Sequence, residues 1–113
     1  MAASIVPFLA YKEKGRPTAA ISHSKYVDNI VLAAGVAETV TRPTNAVIAV
    51  FACTADFYVD WHGSTAIDPT VDKTNGLGVE LNPASREIGD LSTFSVISAS
   101  NADMSIAWYG GNS

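Results

Sequence analysis

The acids Asp56, Asp60, Asp68, Asp72 and Glu80 crowd the middle of the chain and are the first residues whose chemistry has to be tested. Asp56 and Asp60 lie two strand repeats apart on one face, too far to share a proton. A glycosidase pair needs two carboxylates facing each other across a cleft, and this spacing does not supply one. The segment Asp72-Lys73-Thr74-Asn75-Gly76 carries oxygen ligands. It lacks the alternating acids and the closing glutamate of a calcium loop, so it reads as an Asn-Gly turn. His23 and His62 stand without a nearby cysteine or an H-x-x-x-H spacing and do not form a metal set. Cys53 lies in the apolar run Ala46 to Cys53, where a cysteine acts as a small buried hydrophobe. No serine sits in a Gly-x-Ser-x-Gly elbow. Gly76-Leu77-Gly78 is not a phosphate loop. The residues therefore point to no catalytic centre, no metal and no cofactor, and the expectation is a protein that is not an enzyme.

The elements that position these residues follow from size and composition. A chain of 113 residues has room for one core. It is 48% hydrophobic, enough to close that core without metal or disulfide. Charged residues are only 16%, against roughly 25% in an ordinary soluble domain. Such a surface is built from small polar residues or is partly covered by something else. The net charge of −4 argues against nucleic acid as a partner. Residues 1–25 sum to +3 and the remainder to −7. A basic arm on an acidic body can latch onto a neighbouring copy or another acidic surface, or it is simply a solvated tail. The first residues lack the basic start and unbroken apolar stretch of a secretion signal. No window approaches the ~18–20 apolar residues of a membrane helix. An aqueous compartment without membrane contact is expected.

Pro7, Gly15 and Pro17 break up residues 1–25, which read as an extended arm with room for one short edge strand. From Lys25 onward short β-rich runs alternate with turn residues. The runs are 26–32, 37–41, 47–53, 56–61, 79–81, 86–88, 93–99 and 103–109. Val47 to Cys53 is apolar at consecutive positions and predicts a central strand covered on both faces. The two-residue link Thr54-Ala55 predicts a tight hairpin or a bulge. In 56–61, Phe57, Val59 and Trp61 point one way. In 103–109, Met104, Ile106 and Trp108 share one face. Residues 63–78 are rich in Asp, Thr, Pro, Asn and Gly; irregular stretches of this length form sites or interfaces. Asn82-Pro83 stops a strand, or caps a single helical turn over 82–87. Seven or eight strands at about ten-residue spacing predict an all-β antiparallel sandwich or jelly roll over 26–113, with the arm at 1–25.

Phe57, Trp61, Phe94 and Trp108 fall on inward positions and are expected in the core rather than as a sugar-stacking platform. Tyr58 and Tyr109 fall on the opposite face and are expected at a subunit contact. Partner contacts are accordingly expected from Lys12, Lys14 and Arg16 on the arm, from Tyr58 and Tyr109 on the strands, and from Asp68, Asp72 and Asn75 in the long loop.

Residues 46–110 resemble a family of short β-sandwich proteins encoded by tailed bacteriophages. The resemblance is carried by Ala55-Asp56-Phe57-Tyr58-Val59, by the loop from Asp68-Pro69 to Thr74-Asn75-Gly76, and by Glu80-Leu81-Asn82-Pro83 with Arg86. The strands Phe94-Ser95-Val96-Ile97-Ser98 and Ser105-Ile106-Ala107-Trp108-Tyr109 complete it. It covers a little more than half of the chain and does not include the arm. Such proteins are often virion components, and capsid cement or decoration proteins are similar in size and character. The resemblance implies a structural protein on the outer capsid surface of a virion, assembled in the host cytoplasm. Its partners would be the major capsid protein and further copies of itself, in a dimer or trimer. A tail- or fibre-associated module that recognises a host glycan is the other implied reading.

Overall fold

In a computed structural model, which describes residues 5–7, 12–13, 16–17 and 23–110, the chain is all β. The strands are β1 (Val6–Pro7), β2 (Lys12–Glu13), β3 (Arg16–Pro17), β4 (Val27–Leu32), β5 (Glu38–Thr41) and β6 (Ile48–Cys53). They continue with β7 (Tyr58–Asp60), β8 (Glu80–Leu81), β9 (Ser85–Glu87), β10 (Thr93–Ile97) and β11 (Ala102–Gly110). Eight of them form two antiparallel four-stranded sheets, β4-β11-β6-β9 and β5-β10-β7-β8. Lettered B to I from β4 to β11, the orders are B-I-D-G and C-H-E-F, which is the jelly-roll arrangement.

The period of two explains the core. Met104, Ile106 and Trp108 of β11 meet Ala49 and Phe51 of β6 and Leu32 of β4 on the inner side of the first sheet. Val40, Val59, Phe94 and Val96 face them from the second; all are buried. Phe94 is the hub of the aromatic layer, with ring centroids 5.0 Å from Trp61, 5.9 Å from Phe51 and 6.2 Å from Trp108. These separations and tilts are those aromatic pairs prefer. The aromatics assigned to the core by alternation are in it, with Trp61 half-buried at its margin.

Three local expectations change. The link Thr54-Ala55 is not a hairpin: β6 lies in the first sheet and β7 in the second, so residues 54–57 carry the chain across the sandwich. The Thr54 N–H bonds the Asp103 carbonyl and its Oγ1 accepts the Asp103 N–H, which ties the crossing to β11 rather than to β7. β6 is not covered on both faces. Ala49 and Phe51 are buried, Val50 is half-buried and Ala52 is exposed, because none of the described residues forms a layer over the outer side of the first sheet at that end. Asn82 caps no helical turn; Ser85–Glu87 is a strand, and Asn82 adopts φ +48° instead.

Part of the arm falls among the described residues. β1 adds in parallel to the end of β11, with Val6 opposite Tyr109 and Pro7 opposite Gly110. Ile5 packs against the core. β2 and β3 pair with each other as a short antiparallel ribbon.

Candidate functional site

Register decides which residues reach the outer face of the first sheet. Val27, Asn29 and Val31 of β4 stand opposite Ala107, Ser105 and Asp103 of β11. Ile48, Val50 and Ala52 of β6 stand opposite Tyr109, Ala107 and Ser105. Residues directly opposite share a face, and the face opposite Trp108 is the outer one. Its strand residues are therefore Val, Ile, Ala, Ser, Asn and Tyr, with Asp103 at one end and Glu87 of β9 at the other as its charges among the described residues. A shallow depression of about 450 Å³ crosses it between β4, β11 and β6, lined by Asn29, Val31, Ala52, Thr54, Asp103 and Ser105. Val31 is 75% exposed.

The outer face of the second sheet is different. Asp60 and Ser95 oppose each other there, on the side alternation gives Asp60, yet both are buried. The chain after β7 folds back over them: Ser95 Oγ accepts the Ala66 N–H at 2.9 Å, and Ala66 is buried. Asp60 Oδ1 accepts the His62 N–H at 2.7 Å, which starts that return and leaves His62 at the surface. Beyond Ala66 the loop turns outward and exposes Ile67, Val71 and Leu77; Leu81 of β8 is exposed as well.

The expected contact residues separate accordingly. Asp72 and Asn75 lie on the exposed part of the loop. Asn75 Oδ1 accepts the Leu77 N–H at 3.0 Å and Gly76 takes φ +86°, so this segment is an Asx turn as the Asn-Gly pair predicts. Asp68 is half-buried, and its Oδ1 is buried with no hydrogen-bond partner among the described residues. Tyr58 is half-buried on the outer side of the second sheet. Tyr109 is the clear correction: it is buried at the end of β11, where β1 pairs on one side of that strand and β6 on the other. The backbones of Lys12 and Arg16 lie in the β2–β3 ribbon, and Lys14 falls outside the described residues.

One constellation escapes the sequence. Glu80 of β8 and Arg86 of β9 join the two sheets at one open side of the sandwich through a two-point pair, Arg86 Nε to Oε1 at 3.1 Å and Nη2 to Oε2. Trp61 Nε1 donates to the same Oε1 at 2.9 Å. The opposite charges six residues apart around Asn82-Pro83 are the only signal, and nothing local says that their strands lie in different sheets. The hydrogen bonds from Arg86, with a smaller one from Trp61, hold the Glu80 carboxyl below its ordinary value of 4.5, against a weaker opposing effect of burial. A lowered folded-state pKa contributes stability that is complete above the ordinary value and fades as pH falls through the lowered one. Glu80→Gln is therefore expected to lower Tm at pH 7 by no more than about a few degrees, since both partners are a third or more exposed. The difference from the parent should shrink below pH ~4.5; thermal melts from pH 3 to 7 check it.

Among the described residues no three His, Cys, Asp or Glu side chains come together to hold a metal ion. No helix there is long and apolar enough to cross a membrane. No family model, curated protein or solved structure matches the chain.

Proposed function

We propose that this chain is a structural virion protein, a cement or decoration protein that binds the outer surface of a bacteriophage capsid. Its partners on this reading are the major capsid protein and other copies of itself, as a dimer or trimer. The observation that carries the proposal is the outer face of the first sheet. It is nearly uncharged, presents small apolar and amide side chains, and is exposed at Val27 and Val31. Depletion of charge marks the centre of protein contacts, and exposed apolar patches on a small domain mark where such contacts form. The apolar loop residues Ile67, Val71 and Leu77 give a second contact region. Many modest contacts of this kind, repeated over a shell, stabilise it by mass action and multivalency without any chemical step. The glycan-binding alternative needs exposed aromatics on the strands, and Tyr109 is buried.

The arm enters as a strap reaching a neighbour through Lys12, Lys14 and Arg16. Because β1 and Ile5 belong to the folded domain, deleting residues 1–25 would damage the sandwich; charge reversal tests the strap cleanly. Particles lacking the protein are mixed with purified chain and sedimented. Parent protein is expected to co-sediment to a saturating, symmetry-related stoichiometry. The triple variant Lys12→Glu, Lys14→Glu, Arg16→Glu should bind more weakly, with a reduced salt dependence. Unchanged binding by the variant removes the strap; no co-sedimentation of the parent removes the cement reading.

A further inference from the structure

We infer that β4 is a self-complementary edge and that this chain forms a two-fold dimer by pairing β4 with β4 of a second copy. The inference names the partner and contact for the self-association included in the proposed function, but it rests on the edge itself, and its test needs no capsid.

The four sheet edges are unequal. β8 and β9 are two and three residues long, carry Glu80, Arg86 and Glu87, and are tied together by the Glu80–Arg86 pair. β5 has four residues and begins with Glu38. Short, charged strands are how sheets protect their edges. β4 has six residues, contains no lysine and no proline, and among the described residues pairs with β11 alone. Its one charged residue, Asp28, faces inward, where Oδ2 accepts the Trp108 Nε1–H at 2.9 Å. Nothing on β4 opposes a further strand.

Hydrogen-bond parity then fixes the register. The Trp108 N–H bonds the Tyr26 carbonyl, and the β4–β11 register keeps that phase. Tyr26, Asp28, Ile30 and Leu32 therefore direct their backbone groups at β11. Val27, Asn29 and Val31 direct theirs at the free edge. An antiparallel partner must match those three positions with its own. One two-fold register matches all of them: Val27 opposite the second copy's Val31, Asn29 opposite Asn29, and Val31 opposite Val27. This satisfies on the order of six backbone hydrogen bonds. It sets exposed Val27 and Val31, 49% and 75% accessible, against each other on the outer face. The axis passes through Asn29, whose amide can bond its symmetry mate. No charge opposes another charge, and the first sheets of both copies fuse into one.

The position on the axis provides the test, because residue 29 meets itself. Sedimentation equilibrium on the purified full chain is expected to give a reversible dimer, twice the 11.8 kDa chain mass. Asn29→Lys and Asn29→Asp each place like charges directly opposite and should each weaken the dimer about threefold to tenfold. Mixing the two variants should restore association through unlike pairs. Val31→Pro removes an edge N–H that β11 does not use and should give monomer with an unchanged β-sheet circular dichroism spectrum. If Val31→Pro unfolds, the position 29 pair still decides the matter. A parent that is monomeric up to millimolar concentration, a closed trimer, or a dimer indifferent to the charges at position 29 overturns the inference. Capsid binding by a parent that is monomeric in solution would sink this contact while leaving the cement reading intact.

Discussion

Trp108→Ala is expected to destabilise the domain by about 3–5 kcal/mol and to lower Tm by roughly 15 °C or more. The side chain is fully buried on β11, the central strand of its sheet, between β4 and β6. Its ring packs 6.2 Å from Phe94, so truncation opens a cavity beneath the aromatic layer. The indole also donates to Asp28 at 2.9 Å, and its loss leaves an inward-facing carboxylate without that partner. Trp108→Phe separates the two contributions. It keeps most of the packing and loses the donor, and should cost about 1–3 kcal/mol. Guanidinium titrations followed by circular dichroism check the ranking. An alanine variant that loses under about 1 kcal/mol, or a phenylalanine variant as unstable as alanine, contradicts this account of the core.

Asn82→Ala is the second large effect, expected at about 2–3 kcal/mol, with Asn82→Gly losing less. Asn82 sits at φ +48°, a conformation that asparagine tolerates and alanine resists. Its backbone N–H bonds the Phe57 carbonyl at 2.9 Å, and Oδ1 accepts the Phe57 N–H at 3.0 Å. Nδ2 donates to Asp56 at 2.9 Å. One exposed residue thus fastens the end of β8 to the start of β7. Alanine removes the side-chain bonds and strains the backbone; glycine removes only the bonds. Melts of both variants decide the point, and a glycine variant no more stable than alanine shows that backbone conformation is not the cause.

The strands themselves were legible because each carries its own evidence. Alternation in 103–109 set Trp108, Ile106 and Met104 inward without reference to any other segment, and β4, β5 and β10 lie within a residue or two of their expected bounds at one or both ends. Pairing was not legible for a physical reason. In the sandwich only β7 and β8 are both consecutive in sequence and hydrogen-bonded neighbours. A rule that joins adjacent runs into hairpins therefore fails at Thr54-Ala55, where the chain changes sheet. The same non-locality hid the site. Period two places Tyr109 opposite Trp108 but cannot say that β1 and β6 flank it. It places Asp60 outward but cannot say that Ala66 returns over Ser95. The 63–78 stretch reads as irregular and is; that Ala66 within it is buried over the second sheet while Ile67, Val71 and Leu77 are exposed is a tertiary fact. The edge of β4 became meaningful only once its neighbour was known.

On the proposed function this small, charge-poor jelly roll works as a surface that binds a shell. The most direct measurement is a pair of reconstructions of the phage particle, made with and without this chain. The account predicts difference density of jelly-roll size on the outer capsid surface, repeated with the capsid symmetry, with the first sheet's outer face or the 67–77 loop against the capsid protein. Particles that contain no copies of the chain, or copies confined to the tail, contradict it.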